Sequence, residues 1–119
     1  MKTVLVADDN EVGRELVREA LESQGIRVVE AANGEETLER IAESKPDLVL
    51  LDIRMPPPDG YEVIRKIRQD PAMRNLRVMA LTAFAMHGDR ESAFEAGFDG
   101  YITKPIDIVL LRKQVMKML

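Results

Sequence analysis

Five short apolar runs alternate along the chain with segments whose apolar residues recur at helical spacing, and this alternation restricts the possible folds strongly. The runs are Thr3 to Ala7, Arg27 to Ala31, Leu48 to Leu51, Val78 to Leu81 and Tyr101 to Thr103. The first, third and fourth are almost continuous in aliphatic residues, which is typical of parallel strands covered on both faces. Right-handed crossovers between such strands predict a doubly wound α/β sheet with helices on both faces.

The segments between the runs predict five helices. The clearest extends from Glu11 to Gln24, with Asn10 placed to cap its start and Gly25 placed to end it in a left-handed conformation. Its apolar stripe consists of Val12, Leu16, Val17, Ala20 and Leu21. The later helices are expected to stop before Lys45, to end near Asp70, to cover Gly88 to Ala96, and to run from Asp107 to the C-terminus.

Composition and charge limit the classes of function. A chain of 119 residues matches the usual size of one domain, so we expect a single domain over residues 1–119. Seventeen basic against twenty-one acidic residues give a net charge of −4, which does not favour a nucleic acid or an anionic membrane as partner. The absence of cysteine excludes disulfides and thiolate chemistry and is consistent with a cytoplasmic location.

Polar residues follow the apolar runs where a functional site is expected, because ligands of doubly wound folds bind at the carboxyl ends of the strands. Asp8 and Asp9 follow the first run, Asp52 the third, Thr82 the fourth, and Lys104 lies beyond the fifth. With the first and third strands as neighbours, three carboxylates converge, which is costly unless a cation or a proton neutralises them. Such an oxygen-rich cluster predicts a Mg²⁺ site.

Each of these residues also has a simpler explanation. Asp8 and Asp9 could only cap the following helix, Thr82 could be a strand-end residue without a task, and a single Lys104 is usually solvated. Lys104, however, precedes Pro105, a candidate for a cis peptide bond that would fix the direction of the lysine side chain. The residue types alone leave these alternatives open.

In this order and spacing the residues resemble the receiver domain of two-component response regulators, from the first strand to the last helix. The motifs that carry the resemblance are Asp8-Asp9, Leu51-Asp52-Ile53-Arg54-Met55-Pro56 followed by Asp59-Gly60, Leu81-Thr82-Ala83, and Lys104-Pro105. The resemblance implies a flavodoxin-like (βα)5 fold with strand order 2-1-3-4-5. It also implies a signalling domain of the stand-alone, chemotaxis-regulator type.

The resemblance further implies how the site works. Asp52 would accept a phosphoryl group from a sensor histidine kinase or a histidine phosphotransfer protein. Asp8, Asp9, Asp52 and the backbone carbonyl of Arg54 would hold the Mg²⁺. The domain would thus catalyse its own phosphorylation and slow dephosphorylation without being a conventional enzyme.

Further roles implied by the resemblance concern the switch. Thr82 and Lys104 would bind the phosphoryl oxygens, and Tyr101 would be the switch aromatic of the fifth strand. Arg54 and Phe84 would tune the lifetime of the phosphoryl group. The responding surface would be helix 4, strand 5 and helix 5, where a downstream partner protein would bind.

Three alternatives accompany this interpretation. No output domain follows Leu119, which predicts a stand-alone receiver or a member of a phosphorelay, and the alternative is a receiver excised from a larger regulator or hybrid kinase. A Mg²⁺-dependent phosphatase of the haloacid dehalogenase type normally has a second aspartate where this chain has Arg54. A flavin or dinucleotide binder would need a glycine-rich phosphate loop after the first strand, and this sequence has none.

One departure from the receiver pattern is Pro58, where methionine is usual, and this puts the mobility of its loop in doubt.

Overall fold

The computed structural model describes residues 1–83 and 89–119. Within them, one parallel sheet has the order β2-β1-β3-β4-β5, which confirms the predicted fold. The strands are β1 (Thr3–Ala7), β2 (Arg27–Ala31), β3 (Leu48–Asp52), β4 (Arg77–Thr82) and β5 (Gly100–Thr103). The helices are α1 (Glu11–Glu22), α2 (Gly34–Ser44), α3 (Gly60–Gln69), α4 (Asp89–Ala96) and α5 (Ile108–Met118). None of these helices has both the length and the apolar character needed to cross a membrane.

The sheet is covered on both faces, as its aliphatic strands predict. Every residue of β1 and β3 is buried. Because successive side chains point to opposite faces, Leu5 and Ala7 pack with residues of α2, α3 and α4, whereas Val4 and Val6 pack with residues of α1 and α5. The two apolar layers leave the carboxyl edge of the sheet to polar side chains.

The ends of several elements differ from the sequence prediction by one or two residues. Strand β3 includes one more residue than expected and β4 includes two more, one at each end, so Asp52 and Thr82 are the last residues of their strands. Helix α1 ends at Glu22 rather than Gln24, and a turn follows in which Gly25 has a φ of +78°. Glycine adopts this backbone conformation without the steric penalty of a side chain.

The predicted apolar stripe of α1 is wrong at its N-terminal end. Val17, Ala20 and Leu21 are buried, but Val12 is 75% exposed and Leu16 is 40% exposed. An α-helix turns by about 100° per residue, so Val12 and Leu16 lie at one margin of the stripe rather than at its centre. The first turns of α1 therefore present apolar side chains to solvent beside the carboxyl edge of the sheet.

Candidate functional site

Strand register brings the acidic residues of the first and third strands together. Ala7 of β1 pairs with Leu51 of β3, so the residues that follow them, Asp8 and Asp52, lie side by side at the carboxyl edge. Oxygen atoms of the Asp8, Asp9 and Asp52 carboxylates all lie within 4.8 Å of one another. The predicted convergence of the three carboxylates is therefore present in the structure.

Lys104 links two of these carboxylates. Its Nζ donates to Asp8 Oδ2 at 2.6 Å and to Asp52 Oδ2 at 2.9 Å. The backbone N–H of Lys104 donates to the carbonyl of Thr82 at 2.7 Å, which continues the β4–β5 pairing by one residue. The peptide bond between Lys104 and Pro105 is cis, in agreement with the sequence expectation. Lys104 is thus a member of the acidic cluster and not a solvated surface residue.

Burial and hydrogen bonding set the electrostatics of the cluster. Asp8 and Asp52 are almost fully buried, whereas Asp9 is exposed. Burial raises the pKa of Asp52 above its ordinary value, while the hydrogen bonds from Lys104 and the Arg54 amide act against this rise. Burial acts to lower the pKa of Lys104, but its hydrogen bonds to Asp52 and Asp8 and the negative charges of these two carboxylates together outweigh burial, and that pKa is raised.

The loop after β3 holds Asp52 from its other side. The Arg54 backbone N–H donates to Asp52 Oδ1 at 2.8 Å, so the two carboxylate oxygens have different donors. Helix α3 begins against this loop, where Gly60 N donates to the Ile53 carbonyl at 3.0 Å. A Cβ on Gly60 would lie 2.6 Å from Ile53 Cα, so only glycine permits this approach. The Arg54 side chain is exposed.

Pro58, the departure from the receiver pattern, belongs to the same loop. The Pro57–Pro58 peptide bond is cis, and the ring of Pro58 lies close to the first residue of α2. A Cβ added at Gly34 would lie 2.7 Å from Pro58 Cγ and 2.8 Å from Val63 Cγ2. The loop is therefore packed between α2 and α3.

The loop after β1 is held by backbone and side-chain bonds around Asp8. Asp8 N donates to the Ala31 carbonyl at 3.1 Å, and Asn10 N donates to Asp8 Oδ1 at 2.9 Å. Asn10 also caps α1 as expected, because its side chain accepts from Gly13 N. Arg14, which the sequence interpretation did not single out, donates from Nη1 to the Asp8 carbonyl at 2.7 Å. Its position in the first turns of an amphipathic helix gave no signal of this contact.

The donor set fits a divalent cation. Carboxylate oxygens are the ligands that Mg²⁺ prefers, and three of them lie close enough here to share one ion. The three carboxylates and the ammonium of Lys104 carry a combined charge of −2 when ionised, which a divalent cation would neutralise. The exposed side of the cluster, at Asp9, leaves room for the waters that Mg²⁺ usually keeps.

The predicted switch residues lie on the adjacent strands. Thr82 is buried at the end of β4, where it pairs with Thr103 of β5. Tyr101 is half-buried on β5, packs against the α3 side of the core, and lines a cleft of about 520 Å³ with Arg90 of α4 and Gln114 of α5. Phe84, predicted to tune the phosphoryl lifetime, lies outside the described residues.

A parallel sheet of this order with an acidic cluster and a lysine at its carboxyl edge defines the class of flavodoxin-like α/β signalling domains. The family model for the response regulator receiver domain matches residues 4–116, and the chain belongs to this family. Its function is that of a response regulator receiver, a phosphoacceptor domain in two-component signalling.

Individual relatives agree with this family assignment. The polar-differentiation response regulator DivK of Brucella anthropi is 39% identical over 107 residues, which cover 90% of this chain and 87% of the relative. The structure of the chemotaxis protein CheY4 of Vibrio cholerae matches with a TM-score of 0.93 and 26% identity, covering 100% of this chain and 99% of that chain. A receiver domain of a Pseudomonas aeruginosa sensor histidine kinase, solved with a magnesium ion in its active-site cleft, matches with a TM-score of 0.89 and 32% identity, covering 98% and 96%.

Proposed function

We propose that Asp52 is the phosphoryl acceptor and that its phosphorylation depends on Mg²⁺ held by Asp8, Asp9, Asp52 and the carbonyl of Arg54. The observation that carries this proposal is the double contact of Lys104 Nζ with Asp8 and Asp52 inside the cluster of three carboxylates. A relative with the same fold holds magnesium in its active-site cleft, which supports the choice of metal.

The chemistry follows from charge. A carboxylate attacking an anionic phosphoryl group meets electrostatic repulsion, and the bound Mg²⁺ would supply the charge that offsets it. An Asp52 oxygen forms the new O–P bond while the P–N bond of a phosphohistidine breaks, and the imidazole leaves with the electron pair of that bond. Lys104 Nζ, which already contacts Asp52 Oδ2, is placed to bind a phosphoryl oxygen in the transition state. The same groups support slow hydrolysis of the acyl phosphate, so the domain would catalyse both steps on itself.

The product would carry roughly −2 charge where a carboxylate stood. The buried hydroxyl of Thr82 would donate to a phosphoryl oxygen, and Tyr101 would change its packing on β5. The resulting signal would reach the surface formed by α4, β5 and α5, where a downstream protein binds. Arg54 and Phe84 would modulate the lifetime of the phosphoryl group.

The partners follow from the family role. A sensor histidine kinase or a histidine phosphotransfer protein would donate the phosphoryl group, and neither a nucleic acid nor a membrane is a proposed partner. Residues 1–119 would form one receiver domain acting in the cytoplasm, either alone, as the similarity to DivK favours, or within a longer regulator.

Phosphorylation with acetyl phosphate and Mg²⁺ tests the acceptor. Intact-mass spectrometry should show one phosphoryl group on the wild type and none on Asp52→Asn. Asp59→Asn is the matched control, because Asp59 caps α3 seven residues away and asparagine caps helices equally well. Full single phosphorylation of Asp52→Asn would contradict the proposal, and repeated turnover of phosphomonoesters by the wild type would favour a phosphatase.

A further inference from the structure

We infer that Arg14 is a positioning residue of the cation site, which it serves by fixing the peptide between Asp8 and Asp9. This inference rests on the proposed function, because it assigns Mg²⁺ to the carboxylate cluster. It concerns a side chain of α1 that would touch neither the metal nor the phosphoryl group, and it assigns that side chain a measurable effect on the affinity for Mg²⁺.

The contact is close and sheltered. Arg14 Nη1 donates to the Asp8 carbonyl at 2.7 Å, and the arginine side chain is only 14% exposed. Its Nε donates to Glu30 Oε1 on β2 at 3.3 Å. The planar guanidinium therefore joins the loop after β1 to the neighbouring strand, with its fork of donors held at both ends.

The peptide that Arg14 contacts leads directly to Asp9. The peptide unit is planar, so holding the Asp8 carbonyl sets the direction in which the chain leaves toward Asp9 Cα. The Asp8 side chain is already fixed by Asn10 N and Lys104 Nζ. Asp9, in contrast, is exposed, and within residues 1–83 and 89–119 no hydrogen bond or ion pair holds its side chain. The backbone is what orients this ligand before a cation arrives.

Glu30 of β2 holds the Arg14 guanidinium in place and also binds a second arginine of α1. Its Oε2 accepts from Arg18 Nη1 at 2.7 Å while its Oε1 accepts from Arg14. Arg18 shares the helix, the charge and the glutamate partner of Arg14, but it forms ion pairs with Glu30 and Glu22 and does not contact the Asp8 carbonyl. Arg18 is therefore a matched control for the loss of a positive charge near the site.

The loss of Arg14 has two effects on the affinity for Mg²⁺, one through charge and one through positioning, and they have opposite signs. Removing a cation near a Mg²⁺ site strengthens metal binding, because the like-charge repulsion falls. Removing a side chain that orients the ligands weakens metal binding, and groups that support metal ligands typically contribute at least about tenfold in affinity. Arg14→Met combines both effects, whereas Arg18→Met shows the charge effect with the Asp8 contact intact. The difference between the two variants isolates positioning.

Isothermal titration calorimetry with MgCl₂ on the folded full-length chain measures this difference. We expect Arg14→Met to bind Mg²⁺ about tenfold more weakly than Arg18→Met. Arg14→Lys should recover part of the affinity, because a lysine ammonium can still donate to a carbonyl. If Arg14→Met does not fold, Arg14→Lys replaces it with Arg18→Lys as the control of equal charge, and Arg14→Lys should bind Mg²⁺ more weakly than Arg18→Lys.

A second readout needs no metal. In ¹⁵N-labelled protein with EDTA, the Asp9 amide signal should move in Arg14→Met and stay near its wild-type position in Arg18→Met, since the lost hydrogen bond belongs to the preceding carbonyl. Equal dissociation constants for Mg²⁺ in the two folded variants would overturn the inference and leave the proposed function intact. A wild type that binds no Mg²⁺ would overturn both.

Discussion

Lys104 Nζ lies 2.9 Å from Asp52 Oδ2, although the two residues are 52 positions apart in the chain. The contact reaches from the end of β5 to the end of β3 past the intervening strand β4. It leaves Asp52 Oδ1 to the Arg54 amide, so each oxygen of this carboxylate has its own donor. The contact depends on the completed sheet and couples the charge of Asp52 to the position of β5.

Lys104→Met tests the role of this contact. We expect the variant to fold but to label with acetyl phosphate about a hundredfold more slowly than the wild type, since it lacks one donor to the transition state. Intact-mass spectrometry over time provides the rates. Lys113→Met, on the exposed side of α5, removes the same charge away from the site and should label normally. Labelling of Lys104→Met at the wild-type rate would rule out a catalytic role for the ammonium.

Asp9→Asn tests the crowding of the carboxylates. In EDTA the variant should melt at a slightly higher temperature, because it removes a charge from the cluster; as Asp9 is exposed, the gain should be at most about 1 kcal/mol. With Mg²⁺ most of the stabilisation seen in the wild type should disappear, since the cation binds only the native cluster. Calorimetry with and without Mg²⁺ measures both effects. Asp107→Asn, at the cap of α5, is the control, and an equal Mg²⁺ shift in Asp9→Asn and wild type would refute the prediction.

The raised pKa of Asp52 predicts how stability depends on pH in EDTA. Between the ordinary value of 3.8 and the raised value, the native state binds more protons than the unfolded chain. The contribution of Asp52 to the free energy of unfolding is therefore fully present below pH 3.8 and is lost as the pH rises through the raised pKa.

Asp52→Asn should remove this loss. Relative to the wild type, the variant should gain stability as the pH rises through the same window, and urea unfolding at several pH values measures the difference. Lys104 also donates to Asp8 at 2.6 Å in the native structure, so we expect the ammonium to keep an ionic partner in this variant. A difference between variant and wild type that stays constant with pH would show that burial does not dominate the ionisation of Asp52.

Much of this site could be predicted from sequence because its residues follow strands in a fixed order. Parallel strands of known order bring Asp8, Asp52 and Lys104 to one edge of the sheet, and this does not depend on how the helices pack. The contacts that escaped prediction have another physical origin. Arg14 donates to a carbonyl on a loop, and Arg68 of α3 donates to the Gly97 carbonyl at 2.7 Å. Every residue offers a backbone carbonyl, so sequence carries no pattern that identifies the acceptor.

The exposure of α1 escaped prediction for a different reason. Periodicity shows which residues share a helix face but not where the buried face ends, so Val12 belongs to the predicted apolar stripe and is nevertheless exposed. The packing of α1 against the sheet and α5 decides this limit, and a single sequence does not contain it.

We expect Thr82 and Tyr101 to link phosphorylation of Asp52 to the surface of α4, β5 and α5. Thr82 is buried at the end of β4 and pairs with Thr103 of the neighbouring strand β5. Tyr101 lies two residues before Thr103, so its side chain is on the same face of the sheet as that of Thr103. A hydroxyl that moves toward a phosphoryl oxygen leaves space that only a neighbouring side chain can fill, since protein interiors are closely packed. Tyr101 is half-buried, and its ring is the large side chain of β5 that can enter the space left by the Thr82 hydroxyl.

Thr82→Ala should still be labelled at Asp52 but should lose most of the phosphorylation-dependent change in amide exchange on α4 and β5. Thr82→Ser keeps the hydroxyl and removes only a methyl group, so it should respond as the wild type does. Hydrogen exchange with mass spectrometry, before and after acetyl phosphate, compares the three proteins. If Thr82→Ala is labelled and its exchange changes as in the wild type, the hydroxyl does not couple the site to this surface, and the signal must pass through the loop that begins at Ala83.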